Sequence, residues 1–293
     1  MHAIAFFVAG LAFGSFLNVC VSRIPRDLSI VTPRSCCPRC NAPIAWYDNI
    51  PIVSWSLLHG RCRLCRQAIS IRYPAVELLT AILFVATYAS FGFTATALKA
   101  CILCFLVVGL IFMDAETGYL PAEFTYPGIA LGLLFAWLVG VDTGGSRFML
   151  RFMNWPMVTA APTAALLDAI LAIVFCAGFF YLAWAAYYLV RKRDGLGFGD
   201  IAFIAMIAAF LGLKLTLLVV FLAPLLGTLY ALGRLAIRPS RLPQTAPEDS
   251  AAKLADDRVP PASISFGVFL GISALIALFF GDPIWRWYLA AFY

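Results

Sequence analysis

Apolar runs of membrane-crossing length recur along the chain at about 3–22, 77–97, 98–114, 122–141, 163–190, 198–213, 215–237 and 264–281. About 20 apolar residues are needed to cross the hydrocarbon layer of a bilayer, so the pattern predicts an all-α polytopic membrane protein of about eight transmembrane helices. The division between the sixth and seventh runs rests on Lys214 alone. The first run does not read as a cleavable signal peptide. No basic residue opens it, and Asn18, Ser22 and Arg23 follow it where a small-residue cleavage site would stand. The one substantial polar segment, about 23–74, lies between the first two runs, and 75–237 forms the membrane core. Residues 238–262 mix Pro239, Pro243, Pro247, Pro260 and Pro261 with charges and alanines, a composition that buries no core and reads as a mobile linker before a last span within 263–293. Residues 142–162, opened by Gly144-Gly145, form a second connection.

Composition agrees with the pattern. The chain of 293 residues is 63% hydrophobic and 12% charged, where a soluble domain has about 25% charged residues. The mean hydropathy is +0.92. Charge placement sets the expected orientation. If the segment after the first span is cytoplasmic, 16 of the 21 basic residues lie inside, leaving Lys99, Arg147, Arg151, Lys214 and Arg286 outside. Both termini are then periplasmic, and the ends of the runs at Asp114 and Asp200 face the cytoplasm. This bias accounts for the net charge of +6, so no nucleic-acid partner is expected, and anionic membrane lipids are the expected beneficiary. Trp285, Trp287, Tyr288 and Tyr293 read as an aromatic belt on the outer leaflet.

The polar segment holds Cys37-Pro38-Arg39-Cys40 and, 21 residues on, Cys62-Arg63-Leu64-Cys65. Each C-x2-C presents two thiolates on one tight turn, which suits tetrahedral zinc. A module of this size buries little core and would take much of its order from the metal. A cytoplasmic location argues against disulfides. Cys36 adjoins the first pair and is an alternative to Cys37 as ligand. Cys20, Cys101, Cys104 and Cys176 fall in apolar runs, as packing residues. His2 and His59 are expected to do nothing beyond surface duty.

Two acids stand at the ends of apolar runs. Asp200 follows Gly195, Gly197 and Gly199, and Asp114 closes the run from Ala100 to Met113. An ionisable group in a span costs about 2.5–3.5 kcal/mol at the centre of a helix and is functional by default. The glycines lack the spacing of a dinucleotide fingerprint. They read better as a loop without side chains, open to close approach by a peptide backbone. The bland alternative is a helix breaker followed by an acid favoured by its own helix dipole.

Six stretches in order carry a resemblance over nearly the whole chain. They are Gly14-Ser15-Phe16-Leu17-Asn18-Val19 with Arg23-Ile24-Pro25, the two cysteine pairs, Ile71 to Thr80, Asp114 through Leu120-Pro121, Gly195 to Asp200, and Phe266-Gly267 with Phe269-Leu270. With these the chain resembles the bacterial prepilin peptidases, or type IV leader peptidases, membrane aspartyl proteases of the GxGD type. It departs from them at Ala122 and Ala202, where the family commonly has Asp and Lys. The resemblance implies cleavage of the basic leader of type IV prepilins and type II secretion pseudopilins after a glycine, at the cytoplasmic face of the bacterial inner membrane. It also implies methylation of the new N-terminus from S-adenosylmethionine, with structural zinc on Cys37, Cys40, Cys62 and Cys65. Two close carboxylates cannot both ionise cheaply, so Asp114 and Asp200 share a proton, one activating water and the other polarising the scissile carbonyl. Glu77, at the start of the second span, is the candidate for accepting the amine proton during methylation, or else a partner for Arg72. An ion-coupled transporter would place its acids nearer midplane and need no cysteine module. A non-enzymatic assembly scaffold would leave Asp114 and Asp200 without a purpose.

Overall fold

The structure is a computed structural model and describes residues 1–37, 39–141, 161–192, 197–237 and 265–292. Among these residues the regular elements are helical, with two isolated β-bridges in the cysteine-rich segment. The helices are α1 (His2–Arg23), α2 (Val53–Leu57), α3 (Arg72–Phe91), α4 (Ala95–Thr117), α5 (Ala122–Leu138), α6 (Ala161–Ala172), α7 (Gly178–Arg191), α8 (Phe198–Ile237) and α9 (Phe266–Phe292). A π-helical turn, Ile173–Ala177, joins α6 to α7. Among the described residues six helical stretches are long and apolar enough to cross a membrane, and α5 is a shorter apolar helix. This is a multi-pass membrane fold. The linker, the 142–160 connection, Tyr293 and Gly195 lie outside the described residues.

Neighbouring helices meet in two sets of ends. At one end, Asn18 of α1 bonds the Tyr73 carbonyl of α3, Arg72 pairs with Glu116 of α4, and Val268 of α9 bonds Asp114. At the other, His2 stacks on Phe93, with ring centroids 5.1 Å apart. There too the Lys99 ammonium donates to the Gly140 carbonyl at 2.8 Å, and Lys214 pairs with Asp282 at 2.7 Å.

This arrangement settles the path of α8. Forty residues of unbroken helix would be about 60 Å long, twice the hydrocarbon layer. Gly212, with φ 75° and ψ −179°, interrupts it. Residues 198–211 leave from beside Leu120, and residues 213–237 return against α9, Leu215 facing Gly281 and Gly227 facing Phe269. The α8 element is therefore a hairpin of two limbs. The expected division of this region holds, displaced from Lys214 to the backbone break at Gly212. The first limb is apolar all round and central, with Phe203, Ile204, Met206, Ile207 and Phe210 buried.

Close approach depends on small residues. A Cβ on Gly14 would stand 2.7 Å from the Glu77 Cα, and one on Gly10 2.5 Å from the Ala81 Cα. The Gly14-to-Asn18 stretch is thus a helix-contact face, as membrane helices that meet backbone to backbone require.

Candidate active site and cysteine module

Asp114 lies in the last turn of α4, 3% exposed. Gly118, left-handed at φ 65°, ends that helix and donates its N–H to the Asp114 carbonyl at 2.8 Å. The side chain reaches the first turn of α9, where its Oδ2 accepts from the Val268 N–H at 3.0 Å. The Gly267 amide and the Ser265 side chain lie beside the same carboxylate. These are the amides that a helix N-terminus leaves without intrahelical partners, and its dipole favours an anion there. Gly267 is required by space, since a Cβ would lie 2.6 Å from Oδ2.

Asp200 occupies the first turn of α8, with its N–H on the Gly197 carbonyl at 3.1 Å. Its carboxylate lies beside Gly197, and the two aspartates are near enough for their charges to interact. Each acid therefore sits at the N-terminus of a helix, one its own and one a neighbour's. Leu120 is wedged beside them. A Cβ on Gly199 would meet the Leu120 Cβ at 2.8 Å, and one on Gly267 the Leu120 Cδ1 at 3.1 Å. Gly199 thus serves close packing inside the protein, a different use from the open peptide approach read in the sequence. Phe198, between the two glycines, packs on Tyr181 and Trp184 of α7.

Glu77 is buried, and its Oε2 accepts from the Ile52 N–H at 2.7 Å. The Ser15 side chain lies beside it. Ile52 has a left-handed backbone, φ 60°, at the start of α2, so Glu77 fastens the polar segment to α1 and α3. The alternative pairing with Arg72 does not form. Residues five apart on a helix do not share a face, and Arg72 instead pairs with Glu116 and stacks on Tyr73 at 4.7 Å.

The cysteines fold as two copies of one turn. The Cys37 N–H donates to the Ala42 carbonyl and the Asn41 N–H to the Cys37 carbonyl; Cys62, Gln67 and Arg66 repeat this. Asn41 and Arg66 are both left-handed, at φ 53° and 59°. The four Sγ atoms of Cys37, Cys40, Cys62 and Cys65 lie within 4.8 Å of one another. Cys37 and Cys65 are 3.8 Å apart, close to the ~3.8 Å edge of a tetrahedron built on Zn–S bonds of about 2.3 Å. The Cys40 and Arg39 amides draw the Cys37 thiol down to about 6. Cys65 is pushed up to about 11; the Gln67 amide favours its thiolate, but burial and the neighbouring thiols outweigh it. Crowded thiols of this kind are a donor set for a soft cation. Cys36 is exposed, in a bridge with Pro43, outside the cluster.

Comparison with known proteins agrees with this geometry. A model of the bacterial peptidase A24 N-terminal domain matches residues 8–91, and one of the type IV leader peptidase family matches residues 100–232. The chain is 36% identical over 269 residues to a protein of Myxococcus xanthus strain DK1622, covering 91% of this chain and 72% of that one. It is 33% identical to one of Aeromonas hydrophila (98% and 93% covered) and 31% identical to one of Neisseria gonorrhoeae (95% and 91%). The chain belongs to the type IV leader peptidase family. All three relatives are named prepilin leader peptidase/N-methyltransferase. No solved structure matches the chain.

In this leader-peptidase chain, sequence reasoning missed the groups that hold Asp114. Phe266-Gly267 was legible only as part of a resemblance, because a main-chain amide leaves no side-chain signature. It also missed Asp168 on α6, whose signal, an acid inside an apolar run, was the same as that of Asp200.

Proposed function

We propose that this protein is a prepilin leader peptidase and N-methyltransferase whose cleavage chemistry rests on Asp114 and Asp200. The observation that carries the reading is the approach of two acids, Asp114 buried and Asp200 half-buried, from separate helices at one end of the bundle, each among helix N-terminal amides. One carboxylate takes a proton from a water that attacks the scissile carbonyl. The other, protonated, polarises that carbonyl, and a proton then passes to the leaving amine. The helix-end amides orient the pair, and Leu120 restricts water around it.

Type IV prepilins, with type II secretion pseudopilins of the same architecture, are the substrates, each an apolar helix preceded by a basic leader. The bias of basic residues supports a site at the cytoplasmic face of the bacterial inner membrane, with both termini periplasmic and anionic lipid around the inner ends of the spans. Structural zinc fits the four thiols of Cys37, Cys40, Cys62 and Cys65. S-adenosylmethionine supplies the methyl group for the new N-terminus. Glu77 is better suited to docking the cysteine module than to proton transfer, because the Ile52 N–H already bonds its carboxylate. Gly197 and Gly199, at the start of α8, let Asp200 sit against Leu120.

Cleavage of a prepilin by the purified wild type, Asp114→Asn and Asp200→Asn tests the reading. Loss in both variants with normal membrane insertion is expected. Cleavage retained in either removes that residue from the pair.

A further inference from the structure

One acid within the bundle has no part in the cleavage chemistry. Asp168 of α6 is fully buried, at 0% exposure, and its Oδ2 accepts from the Leu213 N–H at 2.9 Å. Leu213 opens the second limb of α8, immediately after the break at Gly212. A helix that restarts at a buried site leaves its first amides without intrahelical partners, and Leu213 is itself buried. Asp168 supplies an acceptor to the first of them from a neighbouring helix, where the dipole also favours a carboxylate. The Thr216 hydroxyl completes the turn by donating to the Gly212 carbonyl at 2.6 Å.

We infer that Asp168 is a positioning residue for the cleavage reaction, fixing the fold-back of α8 at Gly212 and through it the place of Asp200 against Asp114. The first limb behaves as a rod between these points. Twelve residues of helix span about 18 Å, so a tilt of about 3° at Gly212 moves Asp200 by about 1 Å. A displacement of that size at a catalytic group costs about 100-fold in rate. The inference rests on the assignment of Asp200 to the cleavage site.

The test uses the full-length protein and follows prepilin cleavage together with methyl transfer to an already cleaved pilin, which counts the folded fraction. Asp168→Ala should lower kcat for cleavage by about 10–100-fold, leave KM in place and leave methylation largely intact. Asp168→Asn keeps an acceptor oxygen at the same reach and should restore cleavage. Wild-type kcat in Asp168→Ala overturns the inference, as does Asp168→Asn no better than Ala, or cleavage and methylation falling in equal proportion. Should Asp168→Ala not accumulate, Asp168→Asn against Asp168→Glu decides it. Impaired cleavage by Glu alone supports the cap, and equal activities overturn it. A wild type that cleaves no prepilin sinks the parent reading instead, and this one with it.

Discussion

Gly199→Ala adds a single methyl group next to Asp200, the aspartate proposed for cleavage, and its consequences for stability and for rate should separate. The new Cβ would stand 2.8 Å from the Leu120 Cβ and 3.2 Å from the Leu120 carbonyl oxygen. Carbon atoms pack at about 3.5–4.0 Å, so the first turn of α8 and the Leu120 segment must part by roughly 1 Å. Neither neighbour is the free end of a flexible side chain, so the backbone itself has to give. Overpacking of this kind costs about 1–3 kcal/mol. Alanine for glycine in a helix returns about 0.8–1.0 kcal/mol, leaving a net loss of roughly 0–2 kcal/mol. The same 1 Å displaces Asp200, the next residue, from Asp114, and misplacement on that scale costs up to about 100-fold in kcat. Cleavage kinetics on a purified prepilin, paired with thermal unfolding in the same detergent, measure both quantities. The expected result is a Tm close to wild type and a kcat lower by 10–100-fold, in line with that estimate. A Gly199→Ala enzyme with wild-type kcat would refute the claim that Leu120 sets the spacing of the pair.

Two further changes probe parts remote from the aspartates. Cys37→Ser should reduce bound zinc, measured by elemental analysis, from about one ion per chain to nearly none, whereas Cys36→Ser should leave it unchanged because Cys36 lies outside the cluster; the reverse pattern would reassign the ligand. Gly14→Leu forces a side chain into the Glu77 backbone of α3 and should lower stability by at least about 1–3 kcal/mol, read as a fall in Tm; an unchanged Tm would mean that α1 and α3 are not held at this contact.

Much of the architecture was legible because the membrane imposes a simple code. A helix must be apolar over its crossing length, and an acid within it stands out, which is how Asp114 and Asp200 were found. The break in α8 was placed at Lys214 because a charge is visible in a sequence, whereas the true cause is a backbone angle at Gly212, one glycine among many. Arg72 and Glu77 looked like partners because they are near in sequence; helical geometry turns them apart and gives Arg72 to Glu116, a residue 44 positions away. The cysteine cluster was legible except for the choice between Cys36 and Cys37, since each pair folds through local hydrogen bonds alone. The glycine before Asp200 was read as an opening for substrate, but whether missing atoms make room for a ligand or for Leu120 depends on packing that no local pattern encodes.

The bond from Val268 to Asp114 joins groups 154 residues apart, and that separation has a meaning in time. A ribosome adding about 5–20 residues per second makes Asp114 some 8–30 s before the amide that will hold it. Through that interval α4 carries a carboxylate without its final partner, and Asp200 is itself made on the way. The Asp114 carboxylate can acquire this partner only after α9 has entered the bundle. The proposed cleavage pair is thereby supported only once α9 has been made, which keeps a chain that still lacks α9 from acting on its neighbours in the membrane.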